Sequence, residues 1–109
     1  MTNITINTNE NEFELIMEGH SGYAEYGKDI VCASISTLAF TWINQLREFE
    51  RQNIAQITEF DMNDGKIILK FKTSKSEVLS AFETIVTGFL MLEEKFFANL
   101  SVTRGELSK

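Results

Sequence analysis

From Glu12 to Glu18 the chain alternates, with Phe13, Leu15 and Met17 set between Glu12, Glu14, Ile16 and Glu18. A period of two marks a strand with one buried face. Further on the period changes: Val31, Ile35, Leu38, Ala39, Trp42, Ile43 and Leu46 recur at helical spacing and fall on one stripe. Thr2 to Asn7 and Glu12 to Glu18 therefore predict a first pair of strands around the polar turn Thr8 to Asn11. Thr58 to Met62 and Lys66 to Thr73 predict a second pair around Asn63, Asp64 and Gly65, a hairpin signal. In the last of these strands Ile67, Leu69 and Phe71 alternate with Lys66, Ile68, Lys70 and Lys72, so one face meets the helices and the other lies open. Ser74 and Glu77 have the spacing of a capping box, which opens a second helix carrying Val78, Phe82, Ile85, Val86 and Phe89. A short strand at Leu100 to Thr103 closes the series.

The predicted fold is α+β, a two-layer sandwich in the order ββαββαβ, with a mainly antiparallel sheet and both helices on one face. From the second strand onward this is the order of a split βαβ unit. The chain has 109 residues and no proline. It shows no linker, repeat or low-complexity stretch, so one domain spanning 1–109 is expected, long enough to bury roughly 65% of its unfolded surface.

Charge changes the range of partners. Ten basic against sixteen acidic residues give a net charge of −6, which opposes generic binding to a phosphate backbone, so no nucleic acid is expected. Glu10, Glu12, Glu14, Glu18, Glu25 and Asp29 face only Lys28 within residues 10–29. Such a segment is either a solvated strand face or an attraction for a basic peptide. The start of the chain lacks a basic segment followed by an apolar run, and no stretch has the length of a membrane span, so a cytoplasmic protein without a membrane partner is expected.

Residues 19–36 read GHSGYAEYGKDIVCASIS and hold both the sole histidine, His20, and the sole cysteine, Cys32. One cysteine excludes an intramolecular disulfide and dithiol redox chemistry. His20 falls just past a strand end. Asp29 precedes the helical stripe as a natural N-cap, which makes Ile30, Val31 and Cys32 the first three helical positions. Free N–H groups and the positive end of the helix dipole stabilise a thiolate there. A base beside that thiolate gives the pair used in nucleophilic catalysis. Gly19, Gly22 and Gly27 give the connecting loop conformational freedom.

The same segment resembles the signature of the ribosomal-processing cysteine protease family, Prp, in which a Gly-His, a Tyr-Gly-x-Asp-Ile-Val-Cys and a small-residue helix start follow at this spacing. The resemblance extends over nearly the whole chain. It implies an endopeptidase that removes a short N-terminal extension from the large-subunit ribosomal protein L-twenty-seven. It places the nucleophile at Cys32, the base at His20 and the family's acidic residue at Asp29, and it suggests a homodimer. Gly19, Gly22, Tyr23, Tyr26 and Gly27 then form a substrate loop, with Tyr23 and Tyr26 either packed loop aromatics or the lining of an apolar pocket. No cofactor and no metal are implied.

Lys95, Phe96, Phe97 and Ala98 stand at the tail of the second helix, where the family often breaks with Tyr-Pro. Their Phe-Phe-Ala is similar to the family's cleavage sequence, and core aromatics are the expectation. Two other classes remain open at this point. A non-catalytic ribosome-associated adaptor binding a basic ribosomal protein needs no thiol, whereas a thiol redox sensor gives His20 no role.

Overall fold

A computed structural model describes residues 1–25 and 27–107. The elements follow in the order β1 (Thr2–Asn9), β2 (Glu12–Glu18), α1 (Ile30–Arg51), β3 (Gln56–Asn63), β4 (Lys66–Lys72), α2 (Ser76–Lys95) and β5 (Leu100–Glu106). This is the expected ββαββαβ order. Five strands form one sheet in the spatial order β3-β4-β2-β1-β5. Neighbours run antiparallel except β1 and β5, which are parallel. The split βαβ order is thereby modified, because β1 is wedged between β2 and β5.

Both helices cover one face of the sheet. Ile4, Ile6, Phe13, Leu15, Leu69 and Phe71 of the strands are buried with Val31, Ile35, Trp42 and Leu46 of α1 and Val78, Phe82, Val86 and Phe89 of α2. At the centre, Phe13 stacks on Phe71 with centroids 5.1 Å apart, and Trp42 lies 5.4 Å from Phe71 and 5.1 Å from Phe82. Aromatic groups at these spacings contribute both area and directional contact. On the opposite face Ile16 and Ile68 pair across β2 and β4 and are half-buried. Around them runs a ladder of ion pairs: Glu18–Lys66, Glu14–Lys70, Glu59–Lys70 and Glu12–Lys72. Glu14 is buried; the other pairs are more open, and such pairs contribute little stability singly but fix which strand faces which.

Four local expectations are corrected. The turn Thr8 to Asn11 shrinks to two residues, since β1 pairs with β2 out to Asn9 opposite Glu12 and Glu10 takes a positive φ of 52°. β5 is longer than its apolar core, because parallel pairing to β1 continues to Glu106 opposite Thr8. No capping box forms at Ser74: α2 begins at Ser76 with Lys75 at the N-cap and no side-chain bond there. The Thr73 hydroxyl instead donates to the Ile54 carbonyl at 2.7 Å and accepts from the Lys75 N–H at 3.1 Å, which draws this stretch toward the end of α1. Finally, Phe96 packs partly against the core, but Phe97 lies in the turn after α2 and is 76% exposed.

Candidate active site

The C-terminal end of β2, the β3–β4 turn and the N-terminus of α1 meet at one end of the sheet. Gly19 joins the first two, its N–H donating to the Gly65 carbonyl at 2.8 Å. It has φ +93°, and a Cβ on it would stand 2.4 Å from the Met1 carbonyl oxygen. Only glycine satisfies both conditions. The next residue, His20, turns its ring over the hairpin, so that a Cβ on Gly65 (φ +80°) would lie 3.3 Å from its Nε2. Asp64 of the same turn has Oδ1 4.0 Å from that nitrogen. The Asn63-Asp64-Gly65 signal foretold the hairpin but gave no sign that it would carry the histidine's carboxylate neighbour.

Asp29 is the N-cap of α1, with its Oδ1 accepting the Cys32 N–H at 2.8 Å. Cys32 is therefore the third residue of the helix, and it is exposed. The other carboxylate oxygen of Asp29 accepts from the Ser21 hydroxyl and from the N–H groups of Tyr23 at 3.1 Å and Ala24 at 3.4 Å. One side chain thus ties the start of the cysteine helix to the segment that follows His20. Ser21 is buried, and its carbonyl accepts from Asn99 Nδ2 at 3.0 Å, which anchors the loop to the entry of β5.

Partial burial pushes the Asp29 carboxyl up, but the bonds from the Ser21 hydroxyl and from the N–H groups of Cys32, Ala24 and Tyr23 together outweigh it and hold the group below its ordinary value. A carboxyl with a depressed folded value contributes stability that is present above the unfolded value, about 3.9, and is lost as pH falls through the folded one. Asp29→Ala is expected to cost about 1–2 kcal/mol at pH 7, from the lost cap and loop bonds, with the difference from the parent narrowing toward pH 2–3. Denaturant unfolding at both pH values measures it. A deficit that does not shrink in acid would contradict an ionised cap.

A cavity of about 170 Å³ opens between these elements, lined by Gly19, His20, Cys32, Ile35, Phe40, Met62 and Ile67 among others. Its wall is mainly apolar, and both His20 and Cys32 line it. No hydrogen bond joins Cys32 to His20 among the described residues. Of the expected loop residues that are described, only Gly19 lines the cavity. Gly22 and Gly27 adopt positive φ of 68° and 86° on the exposed loop. Tyr23 turns away, its ring edge meeting Phe96 at 5.5 Å. Tyr26 lies outside the described residues. The apolar wall combines Met17, Ile35 and Ile67, which periodicity assigned to buried faces, with Phe40 and Met62, to which it assigned no role.

A two-layer α+β fold with a thiol at a helix start and an imidazole across an apolar cleft has the makings of a cysteine peptidase. The comparisons agree, and the chain belongs to the Prp family of cysteine proteases: the family described as Cysteine protease Prp matches over residues 1–101. The ribosomal processing cysteine protease Prp of Staphylococcus aureus is 31% identical over 100 residues, covering 89% of this chain and 91% of that protein. Among solved structures, the essential ribosomal processing protease Prp from S. aureus in complex with a covalently linked product peptide superposes with a TM-score of 0.80 at 24% identity, over 95% of this chain and 99% of that one. SMU.848 from Streptococcus mutans gives 0.75 at 25% identity, over 98% and 96%. The S. aureus protease in complex with a substrate peptide gives 0.71 at 22%, over 95% and 99%.

Proposed function

We propose that the protein is the peptidase that trims the N-terminal extension of the large-subunit ribosomal protein L-twenty-seven, with Cys32 as nucleophile and His20 as base. The observation that carries this reading is the singularity of the pair. A member of a cysteine protease family with one cysteine has one candidate nucleophile, and the sole histidine lines the same cleft. In the mechanism His20 takes the thiol proton and Sγ attacks the scissile carbonyl. The tetrahedral intermediate collapses to an acyl-enzyme as His20 protonates the leaving amine, and water then releases the second product. The Cys32 N–H is committed to Asp29, so the oxyanion is met by other donors. Asp29 acts as a support, holding the thiol's helix turn and the loop after His20 in one bonded unit.

The reading favours a basic substrate, because the chain carries a net charge of −6. A synthetic peptide spanning the extension junction should be cut at one bond, seen as two masses; an intact peptide after prolonged incubation with the reduced enzyme refutes the substrate. A cytoplasmic location follows from a ribosomal substrate. No helix among the described residues is long and apolar enough to cross a membrane.

The protein pairs as a homodimer in this reading, with the open face around Ile16 and Ile68 as the contact, since half-buried aliphatics framed by charges gain cover from a symmetric partner. Light scattering should give twice 12.4 kDa at micromolar concentration, and Ile68→Lys should return it to the monomer mass. A wild-type monomer at that concentration rejects the dimer.

A further inference from the structure

Beside the cleft the sheet ends in an open edge. β3 is a terminal strand, and its two ends are treated differently. Near its start the Ile57 N–H is capped by the Glu50 carboxylate of α1 at 2.7 Å. From Thr58 to Asn63, no loop or side chain bonds to the strand's outer edge among the described residues. Unpaired N–H and C=O groups in a row are a template for another strand. The uncapped part is the end that reaches the cleft, where Met62 and Asn63 stand in its wall.

The two sides of this edge differ in character. Phe60 and Met62 lie opposite Leu69 and Ile67 and so share the helix-facing side; they are 36% and 52% exposed, and Phe40 across the cleft is 40% exposed. Arg47 leans over the Phe60 ring at 5.7 Å. On the other side stand Glu59 and Asp61, opposite Lys70 and Ile68. Glu59 shares Lys70 with Glu14, while Asp61 has no ion pair among the described residues. A strand laid on this edge would send alternate side chains toward an apolar shelf and toward carboxylates.

We propose that the peptide substrate binds as a sixth strand on the β3 edge, along Thr58 to Asn63 and into the Cys32 cleft, and that the enzyme selects segments in which apolar residues alternate with basic ones. This rests on the peptidase reading above. β3 is bulged at Thr58 and regular from Glu59 to Asn63, and pairing along that regular part spans about 17 Å, so recognition extends well beyond the scissile bond. Main-chain bonds supply affinity and the two sides of the edge supply selectivity, as in other cases of strand addition. Continuity with the cleft favours a peptide over a second copy of the chain as the occupant.

The test uses the junction peptide in a series with a single backbone N-methyl group moved along it residue by residue. Binding to the Cys32→Ala protein is followed by fluorescence anisotropy, and cleavage of the unmethylated peptide by the wild type is assayed in parallel. Strand addition predicts a period of two: methylation weakens binding roughly three- to tenfold at nitrogens that bond to β3 and much less at their neighbours. Asp61→Lys should weaken binding by a similar factor, and replacing the peptide's lysines with norleucine should abolish that sensitivity. A flat methylation profile with the peptide still cut overturns strand addition and leaves the peptidase intact. The same flat profile, with binding that weakens as the protein self-associates, assigns the edge to a second copy. An uncut peptide overturns the substrate and this inference with it.

Discussion

Cys32→Ala is expected to remove peptide cleavage, by on the order of 10⁴-fold or more in kcat, while leaving the folded protein almost unchanged. The activity loss is large because in the proposed mechanism the thiol forms the covalent intermediate, and no second cysteine exists to replace it. Stability is spared because Cys32 is exposed and the helix start is held by its N–H, which alanine keeps; surface changes of this kind stay within about 0.5 kcal/mol. His20→Ala should be similarly inactive, and the double variant should be no worse than Cys32→Ala alone, since groups acting as one unit are non-additive. Single-turnover assays and thermal melts together measure this. Residual cleavage within tenfold of the parent would displace Cys32 as nucleophile.

Gly19→Ala should have the opposite profile, a loss of stability that carries activity down with it. An alanine there adopts a φ that L-residues avoid, and its Cβ would sit 2.4 Å from the Met1 carbonyl. That contact is with backbone, so relief requires β1 or the strand end of β2 to shift. The expected cost is about 2–3 kcal/mol, or a fall in Tm of roughly 10 °C or more. The shift also loosens the bond to Gly65 and so moves His20 relative to the cleft. A melting temperature within two or three degrees of the parent, taken as about 0.5 kcal/mol, would refute this account of the position.

The two positions also divide what is local from what is not. Asp29 and Cys32 are three residues apart, and the bond between them repeats wherever a carboxylate precedes a helix, so the sequence alone placed the thiol at the third helical position. The same holds for the strand around Leu15, the stripe from Val31 to Leu46 and the Asn63-Asp64-Gly65 hairpin, where period or turn chemistry is written in neighbouring residues. Local signals failed where a distant partner competed. Ser74 and Glu77 have capping-box spacing, yet Thr73 bonds to Ile54, 19 residues away, and α2 starts one residue later, with Lys75 as its N-cap.

Only the tertiary structure decided which segments meet. Nothing near Thr2 to Asn9 indicates that this strand enters between β2 and β5, because that choice depends on burying Ile4, Ile6 and Leu100 together under the helices. Ser21 is fixed by Asn99, 78 residues on, and His20 gains Asp64 as its neighbour only because β2 and β4 are paired along their whole length. Tyr23 met Phe96 instead of lining the cleft, while Phe40 and Met62, from a helix and an edge strand, completed its apolar wall. Periodicity tells which side of an element is buried, and short-range bonds tell where an element begins. The partner across the gap is chosen by mutual burial of residues far apart in the chain, which no local pattern records.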